Sequence, residues 1–231
     1  GNKVLPIDID PQGNTTSGIG IDKSKIDVSV YDVILGGVDA KEAIKDTCIK
    51  NLYIIPSTVQ LAGAEIELIG INEREIMLKQ ALKSVNDEYD FIFIDCPPSL
   101  GLLTINALSA VSSVIIPIQC EFYALEGVGQ LIKTIQLVRR NLNPHLEIEG
   151  VVLCMFDGRT NLSTAVVDEV KRFFKGKVYK TMIPRNIRLA ESPSYGQPIM
   201  QYDPKCKGAE SYEEFAREFL INEKYRSRDV I

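Results

Sequence analysis

The chain has 231 residues and a mass of 25.7 kDa, 45% of it hydrophobic and 25% charged, and 26 Lys and Arg against 31 Asp and Glu leave a net charge of −5. That apolar fraction excludes a disordered chain, and the length suits one or two domains with a sizeable core. No apolar run reaches the roughly 18 residues of a membrane span, and the acidic balance excludes a uniformly basic nucleic-acid coat while leaving room for a local basic face.

In chain order, short apolar runs predict strands at Val4–Ile9, Leu52–Ile55, Phe91–Ile94, Val114–Ile118 and Gly150–Met155, with a weaker one near Val178–Tyr179. Several are apolar on consecutive residues, the pattern of a parallel strand buried on both faces. Pro6 lies inside the first and deletes a ladder donor, which predicts a local bulge. Between the strands lie helical patterns. Asn72 is placed to cap a helix with Ile76, Leu78, Ala81, Leu82 and Val85 inward. Over Gly127–Leu142 the inward stripe is Val128, Leu131, Ile132, Ile135 and Val138. Leu162–Phe174 and Tyr212–Leu220 repeat the theme. There is no linker, repeat or low-complexity tract, so a single domain over 1–231 is expected. Strand–helix alternation predicts an α/β, doubly wound, mostly parallel sheet. Such sheets bind ligands beyond the carboxyl ends of their strands.

The strand ends carry acids. Asp8 and Asp10 lead into Pro11-Gln12-Gly13-Asn14-Thr15-Thr16, and Asp95 follows the Phe91–Ile94 run. An acid after four apolar residues is a Walker-B-like pattern, suited to holding a hydrated Mg²⁺ beside phosphates. Five cysteines (48, 96, 120, 154 and 206) without a Cys-x-x-Cys, and the single His145, make no zinc set. They read as reduced, mostly buried thiols. Nothing at the N-terminus reads as a secretory signal, so a cytoplasmic protein is expected.

Taken together, Asp8-x-Asp10-Pro-Gln-Gly-Asn, Ile94-Asp95-x-Pro-Pro-Ser-Leu and the Pro117–Gly127 block resemble the ParA/Soj family of partitioning ATPases, within the deviant-Walker P-loop group. The resemblance continues through Met155–Ser163, Ile183–Ser194 and Tyr202–Glu210, covering nearly the whole chain. It implies a P-loop NTPase-like fold, ATP and Mg²⁺ as cofactors, and an ATP-dependent homodimer. It also implies non-specific DNA and a ParB/Spo0J-type protein as partners, with nucleoid association and no membrane binding. It implies Asp10 as the catalytic carboxylate that orients the attacking water, and Asp95, assisted by Asp8, at the metal. Pro184 and Asn186 are implied around the adenine, and Glu121–Gly127 as a dimer-contact and switch segment.

Family members begin with a strand and a Lys-Gly-Gly-x-Gly-Lys-Thr-Thr loop. No Gly-x-x-x-x-Gly-Lys-[Ser/Thr] occurs in these 231 residues, which open without Met at the Asp8–Asp10 strand. That loop supplies the N–H groups that cradle phosphates. The first strand and P-loop are therefore expected to be absent from this chain, to belong to a longer gene product, and to leave the chain marginally stable and inactive as an ATPase.

Residues 158–207 hold ten Lys or Arg against four Asp or Glu, a net of +6 that leaves −11 for the rest. A concentrated positive segment suits sequence-independent phosphate binding. The resemblance carries DNA binding to Arg159 and Arg188, and to Lys205 and Lys207, where relatives often have Arg. Two alternatives stand beside this reading: a MinD-type membrane-cycling ATPase, and a non-hydrolysing regulator. The first needs a basic amphipathic tail, but Glu213–Ile231 is acidic, and Phe215 and Phe219 are expected to dock on the core.

Overall fold

The computed structural model describes residues 1–122, 124, 125 and 127–226. These fall into two compact units, described separately: Gly1–Ser112 with Leu131–Leu146 and Pro193–Gln197, and Ser113–Gln130 with Glu147–Ser192 and Pro198–Ile231. The parallel strands lie in two separate sheets.

The first unit runs β1 (Val4–Asp8), α1 (Asn14–Gly18), α2 (Val30–Ile34), α3 (Ala40–Ala43), β2 (Lys45–Asp46), β3 (Tyr53–Ile54), α4 (Leu61–Glu67), α5 (Met77–Ala81), β4 (Phe91–Asp95) and α6 (Leu102–Ala110). β1 pairs in parallel with β4 in unbroken register from Val4–Phe91 to Asp8–Asp95. There is no bulge at Pro6, contrary to the sequence expectation. The physical reason is the direction of the donors. Val4 and Asp8 donate to the carbonyls of Asn51 and Ile55 on the β3 side. Pro6 lacks the N–H that would fall between them, so that side is reduced to isolated bridges at Val4–Leu52 and Ile7–Ile55. The β4 ladder does not need the missing donor. Leu5, Ile7, Ile9, Ile55, Leu61, Leu68 and Leu78 are fully buried in the core of this unit.

The helix expected from Asn72 is broken. Glu73 sits in the left-handed region (φ 55°), a single-turn 3₁₀ segment follows, and α5 begins only at Met77. The buried amide of Asn106 on α6 explains this. It accepts from the Leu78 N–H (3.1 Å) and donates to the Arg74 carbonyl (2.7 Å), the pair a continuous helix would join directly. Leu78, Leu82 and Val85 still point inward, as the pattern predicts.

The second unit carries β5 (Ser113–Gln119), α7 (Val128–Asn141, whose residues from Leu131 belong to the first unit), β6 (Glu147–Phe156), α8 (Asn161–Phe174), β7 (Val178–Pro184), α9 (Ile187–Glu191), α10 (Ile199–Tyr202) and α11 (Lys207–Arg226). β5, β6 and β7 form one parallel sheet in that order. Tyr179 packs edge-on against Phe215 at 4.9 Å between ring centroids, and Phe219 joins the same cluster with Val152 and Ile183. Glu218 accepts from the amides of Lys180 (2.8 Å) and Thr181 (2.9 Å), closing part of the β7 edge. Phe215 and Phe219 of α11 are thus used in packing, while Tyr212 and Ile221 of the same helix are 41% and 53% exposed. No helix among the described residues is long and apolar enough to cross a membrane. The expectations at Tyr123, Glu126 and 227–231 lie outside the described residues.

Candidate active site

The register of β1 and β4 puts Asp8 opposite Asp95, at the carboxyl ends of adjacent parallel strands. The loop after β1 turns tightly: Gly13 N–H donates to the Asp10 carbonyl (2.8 Å), with Gly13 at φ 61°. A Cβ at Gly13 would lie 3.1 Å from the Ser57 carbonyl oxygen, so glycine is required by both conformation and space. The turn delivers α1, whose two threonines reach back to the acids. Thr15 Oγ1 donates to Asp95 Oδ2 (2.7 Å). Thr16 donates to Asp8 Oδ2 from both its N–H (2.8 Å) and its Oγ1 (2.7 Å). Ser57 N–H donates to Thr16 Oγ1 (2.9 Å), and Lys23 Nζ donates to the Gln12 carbonyl (2.6 Å).

The three acids differ in surroundings. Asp8 is 0% exposed and also accepts from the Asp10 N–H (3.1 Å), so both its oxygens are engaged within the protein. Burial pushes its pKa up, the bonds from Thr16 and Asp10 pull against that, and the Asp95 charge adds to the rise. Asp8 thus ties the loop to the start of α1. Asp10 is half-buried, with Oδ1 accepting from the Gln12 N–H (2.9 Å). Asp95 is exposed and is the acid open to a ligand. Among the described residues no group of three His, Cys, Asp or Glu could enclose a metal. An exposed carboxylate such as Asp95, with Oδ2 already accepting from Thr15, suits a cation that keeps most of its waters and takes phosphate oxygens, as Mg²⁺ does.

Pro184 and Asn186 lie in the second unit, at the end of β7 and at the N-cap of α9. Asn186 Oδ1 accepts from the Arg188 N–H (2.8 Å), which orients its amide. The proposed DNA residues are all exposed, but three are held by acids. Arg159 forms a two-pronged bond to Asp157 (2.8 and 2.7 Å), holding that carboxyl at about 2. Arg188 reaches Glu191 (3.0 Å) and Asp203 (3.5 Å), and Lys207 reaches Glu210 (3.4 Å). Lys205 is exposed as well. The sequence count of 158–207 missed this compensation in part because Asp157 lies one residue outside it. It also missed α7, which carries Lys133, Arg139 and Arg140 without a single acid. None of these three has an ion-pair partner among the described residues. Thr15, Thr16 and Ser57 were legible only as polar residues near strand ends.

Cys96, beside Asp95, does not suit redox control. Burial, reinforced by the Asp95 charge, pushes its thiol to about 12, and burial takes Cys154 to about 11. Only Cys120 is fully buried, and Cys48 is exposed, so the thiols are less buried than expected. With iodoacetamide at pH 8, mass-spectrometric mapping is expected to find Cys48 alkylated first and Cys96 and Cys154 protected until denaturation.

A mostly parallel α/β frame with Walker-B-type acids at its strand ends is the frame on which P-loop NTPases are built. The coordinates superpose with TM-score 0.84 on cobyrinic acid a,c-diamide synthase from Mycobacterium smegmatis with bound ATP analog and magnesium, at 38% identity over 97% of this chain and 84% of that one. The AAA domain family matches residues 1–148. Sporulation initiation inhibitor protein Soj of Bacillus subtilis is 57% identical over 96% of this chain and 88% of its own length. Chromosome partitioning protein ParA of Myxococcus xanthus is 49% identical over 94% and 77%. The chain belongs to the Soj/ParA family of chromosome-partitioning proteins.

Proposed function

We propose that this chain acts as a nucleotide-switched partitioning ATPase. In this reading it acts with Mg²⁺-ATP, dimerises with ATP, binds DNA without sequence preference, and is released through a ParB/Spo0J-type partner. The observation that carries it is the pairing of Asp8 and Asp95 at neighbouring strand ends, each bound by a threonine of α1. Asp95 would hold the hydrated metal, which stabilises charge on the phosphates. Asp10 orients the attacking water. Asp8 fixes the Asp10 backbone and the start of α1 so that neither moves as charge develops. Pro184 and Asn186 read the adenine edge.

The 231 residues contain no Gly-rich phosphate loop, so phosphate release from Mg²⁺-ATP by the chain on its own is expected at background. Turnover above background overturns that expectation. Fused behind a strand and loop that supply Gly-Lys-Thr-Thr, the chain is expected to hydrolyse ATP. In that fusion Asp10→Ala should lower kcat about 100-fold with nucleotide binding retained. A fusion that binds nucleotide and turns over equally well without Asp10 ends the catalytic assignment.

For DNA, Arg188→Glu is expected to weaken binding equally across unrelated duplexes, since a phosphate contact carries no sequence information. Fluorescence anisotropy on several duplexes checks this, and losses confined to one sequence argue against it. Liposome co-sedimentation separates this function from the MinD-type alternative, which the docked Phe215 and Phe219 disfavour.

A further inference from the structure

Helical geometry extends beyond α4 at both ends. Ala62 N–H bonds back to the Val59 carbonyl, and a 3₁₀ turn continues over Leu68–Gly70. One face of this segment buries Leu61, Ala64 and Leu68 completely in the core. The opposite face is also apolar. Val59, Ala62, Ile66 and Ile69 recur at spacings of three, four and three residues and so share a single stripe. Val59 is 78%, Ile66 73% and Ile69 63% exposed. A helix apolar on both faces is ordinarily covered on both.

The borders of the stripe are acidic. At about 100° per residue, Glu65 falls on one side of it, half-buried with Oε1 accepting from the Leu103 N–H (3.4 Å), and Glu67, exposed, on the other. Glu67 accepts from the Tyr31 hydroxyl (2.9 Å), so its charge is held beside the stripe. Between residues 58 and 75 there are four acids and one base. That base, Arg74, is already bound to Glu75 and to the Ile69 carbonyl. Residues 1–112 as a whole hold nine Lys or Arg against sixteen Asp or Glu, a net of −7.

We propose that this face docks a basic amphipathic helix of a partner protein, with aliphatic anchors over Ile66 and Ile69 and Lys or Arg over Glu65 and Glu67. Charge selects this occupant. A second copy packed symmetrically on the same stripe would set one acidic border against another. An anionic membrane would meet the same repulsion. A basic helix matches both the apolar centre and the acidic rim. The site needs neither nucleotide nor the candidate active site.

The test is fluorescence anisotropy with the full 231-residue chain and a labelled helical peptide of about 15 residues, with Leu at i, i+3, i+4 and i+7 and Lys at its flanks. Two controls are a scrambled peptide of the same composition and a version with Glu for every Lys. The first peptide is expected to bind at least about tenfold more tightly than either. Ile66→Gln and, separately, Glu67→Lys should each weaken it by about tenfold with unchanged circular dichroism. Ile69→Gln serves in the same way where Ile66→Gln perturbs folding. Equal binding of either control peptide, or indifference to these substitutions, overturns the proposal. So does self-association in sedimentation velocity, or co-sedimentation with phosphatidylglycerol vesicles, that Ile66→Gln abolishes, because either outcome assigns the stripe to another occupant.

Discussion

Asp8→Ala is expected to lower the stability of the chain by about 2–4 kcal/mol, measured by urea denaturation. The carboxylate is fully buried and accepts three hydrogen bonds, from Thr16 N–H, Thr16 Oγ1 and Asp10 N–H. Alanine leaves all three donors without an acceptor, and buried unsatisfied donors cost about 1–3 kcal/mol each. Part of this is offset, because the substitution also removes a charge that burial disfavours. The pH dependence follows from the sign of that conflict. The folded pKa of Asp8 is raised above 3.8, so the folded state takes up the proton first as pH falls. Asp8's contribution is then fullest below 3.8 and declines as pH rises through the folded pKa. The effect of Asp8→Ala should therefore be larger at pH 4 than at pH 8. A substitution without effect, or one whose effect shrinks in acid, contradicts this account of the site.

Gly20→Ala should be nearly as damaging, by about 2–4 kcal/mol on the same measurement. Gly20 follows α1 at φ 90°, where a side chain is strained. Its Cβ would lie 2.9 Å from the Gly196 carbonyl oxygen, a backbone atom that cannot swing aside. Gly196 is itself at φ 61°, with its own Cβ position 3.1 Å from Gly20 Cα. Two glycines back to back let the Pro193–Gln197 segment lie against the end of α1. Since α1 holds Thr15 and Thr16, this contact also sets how the acids are held. Thermal melts of Gly20→Ala and of the exposed control Gly70→Ala, which meets nothing within 4 Å, separate the close approach from a general loss of glycine.

Much of this was legible in the sequence. Consecutive apolar residues marked the parallel strands, and acids at their ends marked the site, because both follow from local chemistry. What was not legible depended on side chains distant in sequence. Nothing near Asn72 foretells that Asn106 will interrupt the helix it would cap. Nothing in the Asp-x-Asp motif says that the first acid turns inward to Thr16 while Asp95 stays open. Pro6 was visible, but which of its two neighbours would lose a hydrogen bond was not. The basic segment shows the same limit: counting charges along 158–207 cannot reveal that Arg159 and Arg188 already hold carboxylates.

That pairing alters how a polyanion would be bound. A nucleic acid carries condensed cations that it sheds when a protein cation takes their place on a phosphate, and their release makes affinity fall steeply with added salt. Arg159 and Arg188 bring their own tethered counter-ions in Asp157, Glu191 and Asp203, which cannot diffuse away. Each phosphate they gain must displace a carboxylate that remains nearby and competes to return. A polyanion held through Arg159 and Arg188 would gain less net charge neutralisation from each contact, and its affinity would fall less steeply with ionic strength than that of one held by unpaired cations.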